Sequence, residues 1–375
     1  MKKVIVYIII ASLLAGACAK NVLTSPSGPG YVMFQPANYL SKIGISGTVF
    51  PTSETFSIYA WSESTEGEYF MDNETVSYDE RIDQWLPSST YPWPARSTVD
   101  YQSYYPTRMK GVTISPDVIT YTDIDVAEYQ KDVMYSDKSV GYTDNIDVPG
   151  GIVPSTNTGV PIFFRHALAK VKVQVELTYN HKEEYDGTVT DWVVEIGRVE
   201  LTGLKKKGNC RLTLSDASAT GLVTWTKPVN EKGYSVWTDD GSLTSVSGDM
   251  TGKELIPECP TTAIDEFFVL PQMLSKDVQQ ITLDISIKTI RNGKPFLSED
   301  LKVHADLYDG GLPAWQMNQS VTYKLKISPT RSNGSGGNPD DPVDPMNPDL
   351  TDAIIHFDPA VDSWESVGFE ATLNL

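Results

Sequence analysis

Cys18 is the residue whose setting points most directly to chemistry. It follows Leu14-Ala15-Gly16-Ala17, behind Lys2, Lys3 and an apolar run from Val4 to Leu14. A charged start, an apolar run of this length and small residues before a cut form the pattern of an export signal. The run is too short to span a bilayer, which takes about 20 apolar residues. A cysteine directly after such a box matches a lipobox. Residues 1–17 are therefore expected to be removed, leaving the Cys18 thiol to carry lipid, palmitate among its acyl chains. An ordinary export signal with a coincidental cysteine is the plainer alternative. The sequence contains no other stretch long and apolar enough to cross a membrane, so the mature chain reads as exported and at most anchored.

Other reactive side chains lack the spacing that chemistry requires. Cys210 and Cys259 can pair in an oxidising compartment, or both stay free. His166, His181, His304 and His356 are scattered, with no metal-ligand pattern. Asp83, Asp100 and Glu195 show no spacing suited to glycoside hydrolysis, and neither Gly-x-Ser-x-Gly nor His-Glu-x-x-His occurs. The acidic run Asp340 to Asp352 lacks the calcium-loop order. Lys205-Lys206-Lys207-Gly208 reads as a solvated basic turn. A net charge of −19 over 375 residues opposes nucleic acid, which needs a basic surface, and suits a protein that must stay soluble outside a cell. The chain reads as neither an enzyme nor a cofactor carrier.

The elements around these residues are short strands. Phe56, Ile58 and Ala60 alternate with polar or amphipathic neighbours, and so do Val171 to Leu177, Ile281 to Ile287 and Val321 to Ile327. Each spacing predicts a strand with one wet face, as antiparallel sheets allow. Asp186-Gly187 and Asn292-Gly293 lie between such runs and predict tight hairpins. Sustained helical periodicity is missing, so the fold class is all-β, most simply antiparallel sandwiches. The Gly-, Pro- and Ser-rich run from Asp147 to Pro161 divides an aromatic first domain (18–155) from a more regular second one (156–330). Aromatic residues from Trp85 to Tyr105 can stack on sugars, but along strands they more often pack.

Residues 331–352 are almost all Gly, Pro, Asn, Asp and Ser, and read as a flexible linker. Beyond them lies the segment 353–375, in which Val367, Phe369, Ala371, Leu373 and Leu375 alternate with polar residues or glycine. This is a strand written with period two, and its backbone groups need a sheet to pair with. It either folds onto its own domain or serves another molecule.

An ordered series of pieces resembles the fimbrillin (fimbrillin-like) family, the subunits of type V pili in Bacteroidales. They are the lipobox at Cys18, FSIYAW at Phe56–Trp61, Trp85 with YPWP at Tyr91–Pro94, and VDYQSYYP at Val99–Pro106. DVMYS at Asp132–Ser136, the block Val160–Val175, FFVLPQ at Phe267–Gln272, VTYKLKI after Trp315, and the tail IIHFDPAVDSWE complete it. The resemblance implies two tandem transthyretin-like antiparallel β-sandwich domains and export as a lipoprotein to the outer membrane. It further implies that a trypsin-like or Arg-specific protease removes the first strand. The C-terminal strand of a neighbouring subunit then fills the groove by β-augmentation, and repetition head to tail builds an open filament used in cell adhesion.

One departure concerns the cleavage site. Between the first strand (Tyr31–Pro36) and FSIYAW the family offers an arginine, whereas this chain has Lys42, with the next arginine at Arg81. Lys42 is thus the cleavage candidate, and stalk and anchor roles both stay open. The runner-up function is a surface lipoprotein that binds glycan in a nutrient-uptake complex.

Overall fold

The computed structural model describes residues 31–38, 50–62, 69–154, 159–177, 182–185, 187–214, 222–257, 259–308, 311–328 and 354–363. Among them the chain is all-β. The first strands are β1 (Phe34–Asn38), β2 (Phe56–Ser62), β3 (Tyr69–Asp79), β4 (Gln84–Pro87) and β5 (Val99–Tyr105). Then come β6 (Val112–Ser115), β7 (Val118–Asp125), β8 (Met134–Ser136), β9 (Lys138–Tyr142) and β10 (Val160–His166). Seven of these close on themselves in the order β5-β2-β3-β4-β1-β10-β8, because β8 also pairs with β5. Where alternation led to two facing sheets, β1 and β8 stitch the edges into a barrel-like ring. Closure gives each strand of the ring a neighbour on both sides, though β1 meets β4 through one pair only.

The ring is filled with aromatic side chains. Phe50, fully buried, stacks on Phe164 at 4.9 Å and meets Phe56, Trp85 and Tyr105 edge-on at 5.4–5.6 Å. Offset and edge-on contacts of this kind add to simple area burial. The stretch from Trp85 to Tyr105 is accordingly packing material: Trp85, Tyr101, Tyr104 and Tyr105 are all buried.

The second half begins with β11 (Ala169–Leu177), β12 (Lys182–Tyr185), β13 (Thr188–Lys205) and β14 (Lys207–Leu214). It continues through β15 (Leu222–Val223), β16 (Trp225–Thr226), β17 (Thr238–Asp239), β18 (Leu243–Glu254), β19 (Thr261–Val269) and β20 (Gln272–Met273). Last are β21 (Gln280–Arg291), β22 (Lys294–Asp306), β23 (Ala314–Trp315), β24 (Gln319–Ser328) and β25 (Ile354–Ser363). Sheet β19-β11-β24-β25 faces sheet β12-β13-β21-β22, with β18 beside β13, and a small β20-β23 pair lies apart. Along β11, Ala169, Val171, Val173, Val175 and Leu177 are buried and the residues between are not, as the period predicts. Their core includes Trp315, whose Nε1 donates to the Tyr323 hydroxyl at 2.9 Å.

Both expected hairpins form. Asn292 and Gly293 take positive φ (46° and 74°) between Arg291 and its partner Lys294, and Gly187 (72°) lies between Tyr185 and its partner Thr188. Positive φ matches the turn to the twist of the strands it joins.

A third core lies where the halves meet. β14 pairs with β7, and with β6, β16 and β17 completes a sheet drawn from both halves. Trp225 donates from Nε1 to the Ser136 carbonyl and Trp237 to the Ala167 carbonyl, at 2.9 and 3.1 Å. β25 lies antiparallel on β24, from Gln319↔Ser363 to Ser328↔Ile354. The tail segment 354–363 thus forms an edge strand of the chain's own second half.

Candidate functional site

The feature with most functional content is the slot held by β1. This strand lies parallel to β10, with Phe34 opposite Val160 and Asn38 opposite Phe164, and touches β4 through Phe34↔Trp85. Val32, Met33, Phe34 and Pro36 are buried, whereas Gln35 is exposed. Phe34 meets Tyr101 edge-on at 5.5 Å. Burying Val32 and Phe34 stabilises the strand by about 1.5–3 kcal/mol each, yet the strand is short and holds β4 by a single pair. Taking it out would bare the edges of β4 and β10 and open the ring.

The slot's floor is held independently of β1. Arg165 donates to both carboxylate oxygens of Asp137 at 2.6 and 3.0 Å, with both side chains nearly buried, which ties β10 to the segment after β8. Asp137 donates its N–H to the Phe163 carbonyl at 2.8 Å, and Ser139 Oγ donates to the Pro161 carbonyl at 2.5 Å. On the next strand, Lys138 pairs with Asp100 at 3.1 Å and lies over the Trp61 ring. A bidentate, shielded pair such as Arg165–Asp137 fixes geometry more firmly than an exposed one.

One end of the slot depends on Gly159. A Cβ there would approach the Met33 backbone to 2.4 Å, and its φ is +77°. Val160 donates its N–H to the Met33 carbonyl at 2.7 Å, and Val32 donates to the Tyr91 carbonyl at 3.1 Å. Sequence reading passed over Gly159, Phe50 and the role of Trp85; only the GVP run at 159–161 marked a turn there.

The carboxylates considered for catalysis are not brought together. Asp83 accepts from the Tyr78 hydroxyl, Asp100 pairs with Lys138, and Glu195 pairs with Lys288 at 2.6 Å. Among the described residues, no group of three or more His, Cys, Asp or Glu side chains is placed to hold a metal ion. Lys205 pairs with Asp239 at 3.0 Å, and Lys206 and Lys207, whose side chains are 40% and 41% exposed, share Asp125 at 3.7 and 3.8 Å, so the basic run is partly balanced from within. Cys210 and Cys259 are both free, the first buried and the second exposed. Burial pushes the Cys210 thiol far up from its ordinary value. Cys18, Lys42, Val367, Phe369, Ala371, Leu373 and Leu375 lie outside the described residues.

Comparison with known proteins supplies the family. Residues 45–339 match the model of the fimbrillin-like family. No curated protein matches the chain. Among solved structures, a fimbrial protein from Bacteroides vulgatus is similar at 13% identity, with 89% of this chain and 99% of that one covered and a TM-score of 0.49. The fimbrial anchor protein Mfa2 from Porphyromonas gingivalis is similar at 11% identity, covering 89% and 97%, with a TM-score of 0.31. Both likenesses are distant, and membership rests on the family match, which spans most of the sequence. This chain belongs to the fimbrillin-like family.

Proposed function

We propose that this protein is a structural subunit of a cell-surface fimbrium, assembled by strand exchange and contributing to adhesion. The observation that carries the reading is β1: a short strand that closes the ring between β4 and β10, ahead of Lys42 in the sequence. In this reading Cys18 is lipidated and brings the precursor to the outer membrane. A trypsin-like protease, which accepts lysine as well as arginine, cuts at Lys42 in place of an Arg-specific one, β1 leaves, and the bared edges accept a strand that restores their hydrogen bonds. The donor residues are Val367, Phe369, Ala371, Leu373 and Leu375 of a neighbouring subunit. The domains are read as 18–155 and 156–330, tandem transthyretin-like sandwiches in which β10 of the second completes the ring of the first, with residues 331–352 as the linker to the tail. β25 deepens this division of labour, since its pairing with β24 keeps the root of the tail on the donating subunit while residues beyond 363 serve the neighbour.

The test compares variants of the tail. Truncation after Ser363 is expected to leave the monomer's melting temperature unchanged and to abolish polymerisation of the protease-trimmed protein. Phe369→Asp and Leu373→Asp should do the same, because a charge would enter an apolar slot unpaired. A fall of many degrees in the monomer's melting temperature, with no polymerisation by the trimmed wild type, would refute the reading.

A further inference from the structure

We infer that the excursion 206–242 is a strap by which the second half holds the ring's closing joint, so that the edge bared by the departure of β1 keeps its shape while empty. The inference rests on the strand-exchange reading above and adds the residues that keep the acceptor ordered: Trp225 and Trp237 of the strap, with Tyr121 of β7 beside them. The strap leaves the second half at the end of β13 and returns at the start of β18. There Lys205 lies opposite Leu243, and Lys206 donates its N–H to the Ser242 carbonyl at 3.0 Å. Between those points its described strands pair with the first half, β14 with β7 and β15 with β9.

The ring needs a hold of this kind at β8. This strand has three residues, and it links β5 to β10 through two residue pairs on one side and three on the other. β10 has a further five pairs with β1. Once β1 is gone, β8 is the one neighbouring strand left to β10 among the described residues. So few backbone pairs make a joint of low local stability.

Three side-chain donors reinforce the joint. Trp225 Nε1 donates to the Ser136 carbonyl at 2.9 Å, and the Tyr121 hydroxyl donates to the Met134 carbonyl at 3.2 Å. Trp237 Nε1 donates to the carbonyl of Ala167, the residue after β10, at 3.1 Å. Donors and acceptors all belong to buried residues. A buried carbonyl left without its donor is costly, so each bond resists displacement of the backbone it holds. Trp237 also donates its own N–H to the Pro271 carbonyl at 3.0 Å, which ties the end of β10 to the second half. None of these bonds involves β1, and its departure removes none of them. An edge that is ordered only part of the time binds a strand more weakly, in proportion to that fraction. Trp225, Trp237 and Tyr121 therefore act as positioning residues, raising the affinity for an incoming strand without touching it.

The experiment uses the full chain carrying an engineered protease site between positions 42 and 50. After nicking, the β1 fragment is removed by gel filtration in urea below the midpoint of global unfolding. A synthetic peptide of residues 31–40, β1 itself, is then titrated back, and hydrogen exchange is read over residues 132–139 and 160–167. The stripped wild type is expected to keep these amides protected and to rebind the peptide. Two variants remove the donors: Trp225→Phe with Trp237→Phe, and Tyr121→Phe, which keeps the ring and loses only the hydroxyl. Both should lose protection in the stripped state and weaken rebinding by about fivefold for each hydrogen bond lost, while the uncut precursor stays protected. Tyr323→Phe, which breaks a hydrogen bond in the second core, should change neither reading. Wild-type protection and affinity in the donor variants would overturn the inference, and so would equal losses in Tyr323→Phe. Loss of protection in the uncut precursor as well would make these bonds a general support of the fold and overturn it too. A β1 fragment that leaves only when the whole ring unfolds would show that no ordered empty edge exists. Strand exchange by direct displacement survives each of these results, because the tail variants above test it separately.

Discussion

The backbone of Met33 passes so close to Gly159 that a Cβ on Gly159 would lie 2.4 Å from the Met33 carbonyl carbon and oxygen. Together with a φ of +77°, this makes glycine a requirement where β10 begins and β1 is received. Gly150 has a similar φ of +74° but no heavy atom within 4 Å of a built Cβ. Gly150→Ala is therefore expected to cost about 1 kcal/mol, the backbone term alone. Gly159→Ala should cost several times more, because main chain must move. Urea denaturation of both variants measures the difference, and equal costs would show that β1 yields freely.

The buried pair Trp315 and Tyr323 should report on the second core alone. Tyr323→Phe removes the acceptor of the Trp315 Nε1 hydrogen bond and is expected to destabilise by about 1–3 kcal/mol. Trp315→Ala, which also empties a fully buried site, should cost about 3–5 kcal/mol. Thermal melts quantify both.

Alkaline stability reflects several buried tyrosines, Tyr59 and Tyr105 among them. Burial, as the largest cause, pushes Tyr59 and Tyr105 up to about 12, and for Tyr105 the hydrogen bond to Glu54 adds to it. The unfolded chain loses these protons near pH 10. The folded state therefore holds more protons in this range, and stability falls as pH rises from about 10 through 12. Tyr105→Phe should flatten that loss in denaturation curves recorded from pH 9 to 12; an unchanged slope would count against the assignment.

The two described cysteines should label very differently. Thiolate is the reactive form, and burial raises the Cys210 thiol while Cys259 is exposed. A maleimide at pH 7.5 is expected to modify Cys259 in the native protein and Cys210 only after denaturation, read by intact mass. Native labelling of Cys210 would show that the core between the halves opens.

What the sequence by itself determined was local. Alternation along Val171–Leu177 places that strand because side-chain period reports which face meets a core, and Asn292-Gly293 makes its turn because positive φ is a property of those residues. The proposed signal and lipobox around Cys18, and the proposed cleavage and donor residues Lys42 and Val367–Leu375, also rest on local pattern alone. What only the tertiary structure decided is pairing between distant segments. Nothing in Val118–Asp125 announces that Lys207–Leu214 will lie beside it, and nothing in Phe34–Asn38 announces Val160–Phe164. Periodicity says that a strand has a buried face but not which strand lies next to it, because backbone hydrogen bonds are alike in every residue and only complementary packing selects among edges. Ring closure through β1, the meeting of Gly159 with Met33, and the exposure of Cys259 all follow from such choices.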